Sequence, residues 1–309
     1  SPGASLALHT FTNRNTPLVS EWIKLPEHTA LQDNQSIANK IKTVERKNLE
    51  FFTITTEDNV TMDGWIITPE NFDSSKKYPV LLYVYGEPGN TTVEDKFATG
   101  GNRLFDGDLS KSGYFYVSFN NRGTPTLKGS AWRKAIYRDI GGINIRDQAM
   151  AMKKLLQQRP YLDTARVASW GWSGGGSSTL NLLFQYPDIF KTGIAIAAVA
   201  NQLTYDNIYQ ERYMGPPQET KADYIKGSPV TYAKNLQGNL LYIHGTGDDN
   251  VHYQNAEMLL NELIKYNKQF QFMAYPNRTH GISEGEGTTQ HLRTLYTEYL
   301  LKYCPPGGR

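Results

Sequence analysis

A glycine-flanked serine lies near the middle of the chain, in the run G-W-S-G-G at residues 171–175. The spacing G-x-S-x-G is typical of a sharp turn that joins a strand to a helix and carries a nucleophilic serine. An apolar, β-prone run precedes the motif at 167–170, and residues 177–186 can form a helix. The helix N-terminus would place unpaired N–H groups beside Ser173, which suits a developing oxyanion. The motif predicts a nucleophilic Ser173, although a glycine-rich turn before a helix can also be a connection without a chemical role.

A serine nucleophile needs a general base, and the base needs an acid that orients it. Asp248 follows the apolar run 239–244, and His280 follows the run 270–275, so both stand where a predicted strand ends. The order Ser, Asp, His along the chain is that of the α/β-hydrolases. We therefore predict that Ser173, Asp248 and His280 form a catalytic triad, in which His280 carries the proton between serine and leaving group.

The acid position has a second candidate, because Asp249 follows Asp248 directly. We favour Asp248, since the acid must face the histidine ring. The run 248–250 also has the composition of a cap for a helix at 253–266, and Asp249 or Asn250 can fill that role.

An oxyanion hole needs two hydrogen-bond donors. The backbone N–H of Gly174, the residue after the nucleophile, is the first. The second is expected in the loop after the apolar run 78–85, where the hydroxyl of Tyr85 can donate. A half-buried core tyrosine is the alternative interpretation of Tyr85.

The elements that position these residues alternate between strands and helices, which indicates an α/β fold with a mostly parallel sheet and helices on both faces. In such a sheet the carboxyl ends of the strands share one edge, where ligands bind. The predicted strands are 51–55 and 62–67 as an antiparallel pair, then 78–85, 114–119, 167–170, 193–199, 239–244 and 270–275. The predicted helices are 146–158, 177–186, 253–266 and 288–303.

Composition excludes several function classes. The 309 residues carry a net charge of +2, which gives no electrostatic argument for nucleic acid or an anionic membrane as a partner. The sequence contains no apolar run of 18 residues, so we expect no membrane span. Its first residues lack the charge and apolar pattern of a signal peptide.

Cysteine and histidine usage argues against a metal or cofactor. The single Cys304 lies in a Pro/Gly-rich tail that we expect to be exposed and without a catalytic role. No Cys/His or His/carboxylate cluster has zinc spacing. His244 is expected to be a packed, hydrogen-bonded residue and His252 to border the site, whereas His9, His28 and His291 fall in the arm or on a helix surface.

The sequence resembles the prolyl oligopeptidase family of serine peptidases, and most closely its dipeptidyl peptidase IV branch. The resemblance runs over about residues 45 to 303 and is specific in combination. The stretches that carry it are 75–85, the N-R-G-T run at 121–124, Asp147-Gln148, the elbow at 171–173, 205–215, 244–251 and His280-Gly281.

The resemblance implies an α/β-hydrolase fold, a peptide substrate and a triad of Ser173, Asp248 and His280, with Tyr85 and the Gly174 amide as oxyanion donors. It also implies that Asn250 contacts the substrate carbonyl. Residues implied to line the pocket for proline or alanine are Val199, Tyr205, Tyr209 and Val251, with Gln202 at a further pocket position.

Two positions depart from the family pattern. The branch usually has Tyr where this chain has Gly174, and Trp where it has Gln202. Both missing rings would pack on the substrate proline, and burying an aromatic ring is worth about 1.5–3 kcal/mol. We therefore expect peptidase chemistry to be retained and proline selectivity to be relaxed or redirected.

The resemblance also predicts the organisation of the chain. Residues 1–45 are expected to be an arm formed by the end of a β-propeller and its connection, 46–304 the peptidase domain, and 305–309 a tail. Residues 6–11 alternate weakly, as an edge strand does, and residues 34–46 are expected to form a short helix or a linker. A homodimer through the hydrolase domain and a periplasmic or secreted location of the full-length protein are compatible with the resemblance, which fixes neither.

Three functions remain as hypotheses. The first is a serine dipeptidyl aminopeptidase that prefers proline or alanine before the scissile bond. The second is a broader oligopeptidase, acylaminoacyl peptidase or esterase on the same fold. The third is a catalytically inactive adhesion or regulatory module, which the presence of all three triad residues disfavours.

Overall fold

The computed structural model describes residues 3–41 and 48–309, which form two β-sheets with helices around the larger one. The strands of the described residues are β1 Leu6–Asn13, β2 Thr16–Lys24, β3 Thr29–Asp33, β4 Leu49–Thr55, β5 Thr61–Ile67, β6 Tyr78–Tyr83, β7 Phe115–Asn120, β8 Leu162–Trp172, β9 Thr192–Ile196, β10 Asn239–Gly245 and β11 Gln271–Tyr275. Their helices are α1 Gln35–Ile41, α2 Ser130–Lys134, α3 Ile143–Gln158, α4 Gly174–Gln185, α5 Asn207–Met214, α6 Pro217–Gly227, α7 Gln254–Lys265 and α8 Thr288–Tyr303.

The larger sheet has eight strands in the order β4-β5-β7-β6-β8-β9-β10-β11. Strands β4, β5 and β7 pair antiparallel, and the neighbours from β7 through β11 are parallel. This topology confirms the predicted α/β-hydrolase fold and the opening antiparallel pair. The carboxyl ends of β6, β8 and β10 consequently share one edge, where the site residues follow.

Both faces of the central sheet are covered, which explains the continuous apolar run of β6. Val80 and Leu82 belong to one buried cluster and Leu81 to another, because successive side chains of a strand point to opposite faces. A strand buried on both sides needs apolar residues at every position. The core therefore holds β6 rigidly just before the loop that carries Tyr85.

The N-terminal arm is more regular than the sequence indicates. The predicted strand at 6–11 is confirmed as β1, but the polar segments after it form β2 and β3 of a three-stranded antiparallel sheet. In β2 alternate residues such as Val19 and Ile23 are buried, so the period of two is present among polar neighbours. A short helix expected within 34–46 is α1, and residues 42–46 lie outside the described residues.

Several predicted bounds were wrong by a few residues. Strand β6 ends at Tyr83 rather than at 85, β9 ends at Ile196 rather than at 199, and α4 begins at Gly174 rather than at 177. Helices α2, α5 and α6 were not predicted, because their hydrophobic periodicity is weak beside that of the longer helices.

The prediction that Cys304 lies in an exposed tail was wrong. Its side chain is 1% exposed, and burial raises the pKa of the thiol to about 12. Arg166 holds the following segment by donating hydrogen bonds to the carbonyl oxygens of Pro305 and Gly307, at 2.8 and 3.0 Å. The backbone of Arg309 pairs with Lys77 at 3.0 and 3.1 Å. These bonds satisfy backbone groups that composition alone assigns to a loose tail.

Candidate active site

Ser173 stands on a strained turn between β8 and α4. Its φ of 59° and ψ of −122° lie in a region that residues with a side chain rarely adopt. The Ser173 amide donates a hydrogen bond to the carbonyl oxygen of Ile196 at 2.8 Å, which fixes the turn against β9. Helix α4 begins at the next residue, so its free N–H groups lie directly beside the serine.

The glycines of the motif let the turn pack against the end of β6. A Cβ built on Gly171 would lie 2.5 Å from the carbonyl oxygen of Val84, and a Cβ on Gly175 would collide with the same oxygen. Because that oxygen belongs to the backbone, no side-chain rotation can make room. These two positions therefore require glycine, and the motif is a packing requirement as well as a turn signal.

His280 and Asp248 meet in the geometry of an acid–base pair. The ring Nδ1 of His280 donates to Oδ2 of Asp248 at 2.9 Å. Oδ1 of Asp248 accepts the backbone amides of Asn250 and Val251 at 3.0 and 2.8 Å. Burial alone would raise the pKa of Asp248, but hydrogen bonds with His244, His280 and the Asn250 amide hold it well below its usual range. The carboxylate is therefore ionised and fixed in orientation.

Asp249 takes a different place. Its Oδ1 accepts a long hydrogen bond of 3.5 Å from the backbone amide of His280, away from the ring. On the other side of the base, the indole Nε1 of Trp172 donates to the carbonyl oxygen of His280 at 2.9 Å. Since Trp172 precedes Ser173, this bond ties the loop of the base to the turn of the serine.

His244 is buried behind the pair. Its Nε2 lies 2.8 Å from the carbonyl oxygen of Val251 and 3.3 Å from Oδ2 of Asp248, and its Nδ1 lies 3.2 Å from the hydroxyl of Tyr242. The expectation of a packed, hydrogen-bonded histidine is confirmed. His252 is exposed and borders a cleft of about 570 Å³ together with Tyr205 and Asn250, so its place beside the site stays a prediction.

Gly174 and Tyr85 lie on the two sides of the turn. The Gly174 amide belongs to the first turn of α4, where N–H groups have no helical partner. Tyr85 is partly buried, and burial together with nearby Glu87 and Tyr205 raises the pKa of its phenol well above the usual value. The phenol consequently keeps its proton at neutral pH and can serve as a donor.

A buried hydrogen-bond chain fixes the loop of Tyr85. Ser178 Oγ donates to the carbonyl oxygen of Tyr85 at 2.8 Å, and Asn121 Nδ2 donates to that of Gly86 at 2.9 Å. Gln148 Nε2 in turn donates to Asn121 Oδ1 at 2.9 Å. Asn121 of the N-R-G-T run therefore holds the loop of Tyr85, and Gln148 of the Asp147-Gln148 pair holds Asn121. These contacts explain why both stretches accompany the serine motif.

The pocket positions divide into an accessible and a buried group. Tyr205 and Tyr209 are partly exposed, and the hydroxyl of Tyr205 donates to Oδ1 of the exposed Asn250 at 2.7 Å. Burial and nearby acidic groups raise the pKa of Tyr205 to about 12. Val199 and Val251 are buried behind them. Gln202 is also buried, with its amide hydrogen-bonded to Gln210.

Glu87 is a site residue that the sequence analysis missed. It lies two residues after Tyr85, is 5% exposed, and accepts a hydrogen bond from the Tyr209 hydroxyl at 3.1 Å. A Cβ built on Gly174 would lie 2.8 Å from Cδ of Glu87. The volume next to the serine that a side chain at position 174 would occupy is therefore filled by a carboxyl group. No local sequence signal connects the two positions, which meet only through the fold.

The arm brings together residues that are not spaced as metal ligands. Pairing of β1 with β2 sets His9 opposite Glu21. The Glu21 carboxylate contacts Nδ1 of His9 at 2.8 Å and Nε2 of His28 at 3.0 Å. The three ligand-type atoms lie within 4.8 Å of one another. The cluster lies in the small sheet and contributes nothing to the serine site.

The chain is similar to known proteins over most of its length. The model of the prolyl oligopeptidase family matches residues 108–304. The chain is 34% identical over 279 residues to human prolyl endopeptidase FAP and 37% identical over 261 residues to a probable dipeptidyl-aminopeptidase B of Trichophyton verrucosum. The crystal structure of Porphyromonas gingivalis dipeptidyl peptidase 4 matches with a TM-score of 0.87 at 33% identity, over 97% of this chain and 42% of that one.

The chain spans about a third of the length of these curated relatives: the matches cover 89% and 82% of this chain but 35% and 28% of theirs. Within the described ranges, no helix has the length and apolar composition needed to cross a bilayer. The family match extends from before β7 to the end of α8, and so includes the serine turn and both loops of the acid–base pair. This chain belongs to the prolyl oligopeptidase family.

Proposed function

We propose that this chain is the catalytic domain of a serine dipeptidyl aminopeptidase that acts through an acyl-enzyme and prefers proline or alanine before the scissile bond. The observation that carries the proposal is the 2.9 Å hydrogen bond from His280 to the ionised Asp248, at the sheet edge where Ser173 stands on its strained turn. The similarity to dipeptidyl peptidase 4 and dipeptidyl-aminopeptidase B supports the substrate class.

In the proposed reaction, Ser173 Oγ attacks the scissile carbonyl while His280 Nε2 takes its proton. The resulting oxyanion accepts hydrogen bonds from the Gly174 amide and the Tyr85 hydroxyl. As the C–N bond breaks, His280 returns the proton to the departing amine and leaves an ester on Ser173. Water then attacks this ester with His280 again as the base, the ester C–O bond breaks to release the dipeptide acid, and His280 returns the proton to Ser173 Oγ. Asp248 orients the imidazole and stabilises its charged form in both steps.

The primary pocket of this proposal comprises Gly174, Val199, Tyr205, Tyr209 and Val251, next to Ser173. Asn250, held by Tyr205, would contact the substrate carbonyl. Gln202 would act from behind the pocket, since its amide is bonded to Gln210.

A second function is favoured by one observation. The primary pocket has no aromatic ring at Gly174 and holds a carboxyl group there instead. A pocket of this kind would tolerate other residues and suits a broader oligopeptidase, acylaminoacyl peptidase or esterase.

Hydrolysis of a panel of chromogenic amides separates these functions. The panel contains aminoacyl, dipeptidyl, tripeptidyl and N-acylaminoacyl amides with proline, alanine or a larger residue before the scissile bond. The proposal expects the dipeptidyl amides to have the highest kcat/KM and Ser173→Ala to abolish turnover. Equal turnover of acylated or single-residue amides would favour the broader enzyme.

The oligomeric state is a separate proposal. We propose a homodimer through the hydrolase domain, supported by the open edge strand β11 and the exposed Ile264, Tyr266 and Leu301. Light scattering after size exclusion tests it, and a mass that stays at the 34.9 kDa of one chain across micromolar concentrations would refute it.

A further inference from the structure

Glu87 is a buried carboxyl group that no cation of the described residues compensates. It is 5% exposed, and its Oε2 accepts a hydrogen bond from the Tyr209 hydroxyl. No Lys, Arg or His within residues 3–41 and 48–309 forms an ion pair with it. Buried ionised groups are ordinarily paired, because an isolated charge in an apolar environment costs several kcal/mol. An unpaired carboxyl group directly beside Gly174 therefore needs an explanation outside the folded core.

The position of Glu87 beside the nucleophile indicates a role in substrate binding. Its carboxyl group fills the volume beside Gly174, directly after the nucleophile, and the Tyr209 hydroxyl holds it from the opposite wall. The titratable groups that face it are Tyr85 from its own loop, Tyr205 from the segment before α5, and Tyr209 from α5. All three are phenols, and none supplies positive charge. The wall of the primary pocket consequently carries one acidic group surrounded by neutral donors.

We propose that Glu87 is a specificity-determining residue whose ionised carboxylate binds a positively charged side chain, lysine or arginine, at the substrate position before the scissile bond. This inference rests on the proposed function, because it assigns a substrate class to the same pocket. A bound ammonium or guanidinium group supplies the cation that the fold omits and forms a charge-assisted hydrogen bond. An apolar residue in the same place would leave the carboxylate desolvated and unpaired.

The protonation state of Glu87 sets which substrate fits. Burial raises the pKa of Glu87 to about 7, and the hydrogen bond from Tyr209 offsets this rise only in part. Below neutral pH the carboxyl group is therefore protonated, and the pocket is neutral and accepts proline, alanine or another apolar residue. Above neutral pH the pocket is anionic and accepts a cation. The pocket thus has two substrate classes, selected by one proton.

The occupant is assigned to the residue before the scissile bond rather than to the free amino group of the substrate. Position 174 follows the nucleophile directly, so the acyl residue of the substrate must lie against this part of the wall, in contact with Glu87, for Ser173 to attack. The amino group of a dipeptidyl substrate is one residue farther away.

The test compares two dipeptidyl amides that differ only in the residue before the scissile bond, lysine or its uncharged analogue norleucine. The ratio of their kcat/KM values cancels the ionisation of His280, which acts on both substrates equally. With a carboxyl pKa near 7, the lysine-to-norleucine ratio should rise about tenfold between pH 6 and pH 8.5, as the ionised fraction of Glu87 does.

Glu87→Gln keeps the size of the side chain and an acceptor for Tyr209, and it should make the ratio independent of pH. Glu298→Gln, at an exposed position of α8, is the matched control and should leave the rise intact. A ratio without pH dependence in the unmodified chain would overturn the inference, and so would a rise that persists in Glu87→Gln. A rise of both kcat/KM values that leaves their ratio constant and is lost in Glu87→Gln would assign Glu87 to the shared amino group and overturn the inference.

A binding measurement separates failure of this inference from failure of the proposed function. Calorimetry with the two dipeptides themselves, at both pH values, needs no turnover. If no amide is hydrolysed, the proposed function fails, yet a lysine-to-norleucine affinity ratio that rises with pH and is lost in Glu87→Gln still upholds the role of Glu87. An affinity ratio that is equal at both pH values overturns it. Circular dichroism of Glu87→Gln verifies that the variant is folded.

Discussion

At the scale of single residues, two adjacent aspartates occupy unequal positions. Asp248 is 7% exposed and bonds to the ring of His280 at 2.9 Å, whereas Asp249 is exposed and reaches only a backbone amide. The difference arises because the backbone amides of Asn250 and Val251 donate hydrogen bonds to the carboxylate of Asp248 and turn it inward. The two side chains have the same charge and size, so a substitution of Asp249 is the matched control for the same substitution of Asp248.

Asp248→Asn should lower kcat by about 10⁴, because an amide in this position favours the wrong tautomer of His280. Asp249→Asn should lower it by less than about tenfold, since a loop hydrogen bond of 3.5 Å contributes little. Steady-state kinetics on one dipeptidyl amide measures both. Equal losses in the two variants would contradict the assignment of the acid.

Glu87→Gln should stabilise the fold at alkaline pH. The glutamate has an ordinary value of 4.5 in the unfolded chain, and burial raises its pKa to about 7 in the folded one. Between these values the folded state binds a proton that the unfolded state has released, so the stability of the unmodified chain falls as pH rises through this window. The gain in free energy of unfolding should approach about 3 kcal/mol at pH 8 and be much smaller at pH 5. Urea denaturation at both pH values measures the gain. A gain that is the same at pH 5 and pH 8 would show that folding does not raise the pKa of Glu87.

Much of the residue-scale account could be predicted from the sequence, because spacing and order carry it. The positions of Ser173, Asp248 and His280 at the ends of strands follow from the alternation of elements. The place of Glu87 does not, because it depends on the approach of the loop after β6 to the first turn of α4. The burial of Gln202 against Gln210 is likewise a tertiary contact without a local pattern.

At the scale of elements, the turn between β8 and α4 packs against the backbone that follows β6. Gly175 lies against the carbonyl oxygen of Val84, and its Cβ would also lie 3.3 Å from Cα of Tyr85. The same contact that packs α4 onto the sheet therefore sets the distance between Ser173 and the loop of Tyr85.

Gly175→Ala should destabilise the fold by about 3 kcal/mol, as overpacking against an immobile backbone does. It should also lower kcat, since Ser173 and Tyr85 are pushed apart. Gly281→Ala is the control for stability, because its Cβ would meet only Ser283 Oγ, at 3.6 Å. Thermal unfolding of both variants measures the difference. A Gly175→Ala variant as stable as Gly281→Ala would contradict this expectation, because it would show that the turn accommodates a Cβ at position 175.

Element prediction succeeded where a pattern was strong and failed where it was weak. The apolar runs of the central sheet follow from burial on both faces. Strand β3 was missed because all five of its residues are solvent-exposed, and β2 because polar residues separate its buried positions and Pro17 is typical of a loop. Short helices such as α5 have little amphipathic pattern of their own and depend on packing around Tyr209 and Tyr213.

At the scale of the whole molecule, the C-terminal segment closes the fold. Cys304 and the end of α8 pack into the core, and Arg166 binds the carbonyl oxygens of Lys77, Pro305 and Gly307. This segment pairs with Lys77, directly before β6, and so contributes to stability far from Ser173.

Cys304 should report on global unfolding. With 1% exposure and a pKa of about 12, its thiol should react with a maleimide at least about a hundredfold more slowly than a free thiol at pH 7. Reaction in urea should follow the unfolding transition seen by circular dichroism. Rapid stoichiometric labelling of the native chain would indicate that the segment opens independently of the core.

The central claim is that Ser173, served by His280 and Asp248, is an activated nucleophile. A fluorophosphonate probe tests it directly, because the probe phosphonylates only a serine that a base has activated. The account predicts that mass spectrometry of the native chain finds one label, on Ser173, and that Ser173→Ala, His280→Ala and urea-unfolded protein remain unlabelled. A native chain that stays unlabelled, or a label that persists in Ser173→Ala, would contradict it.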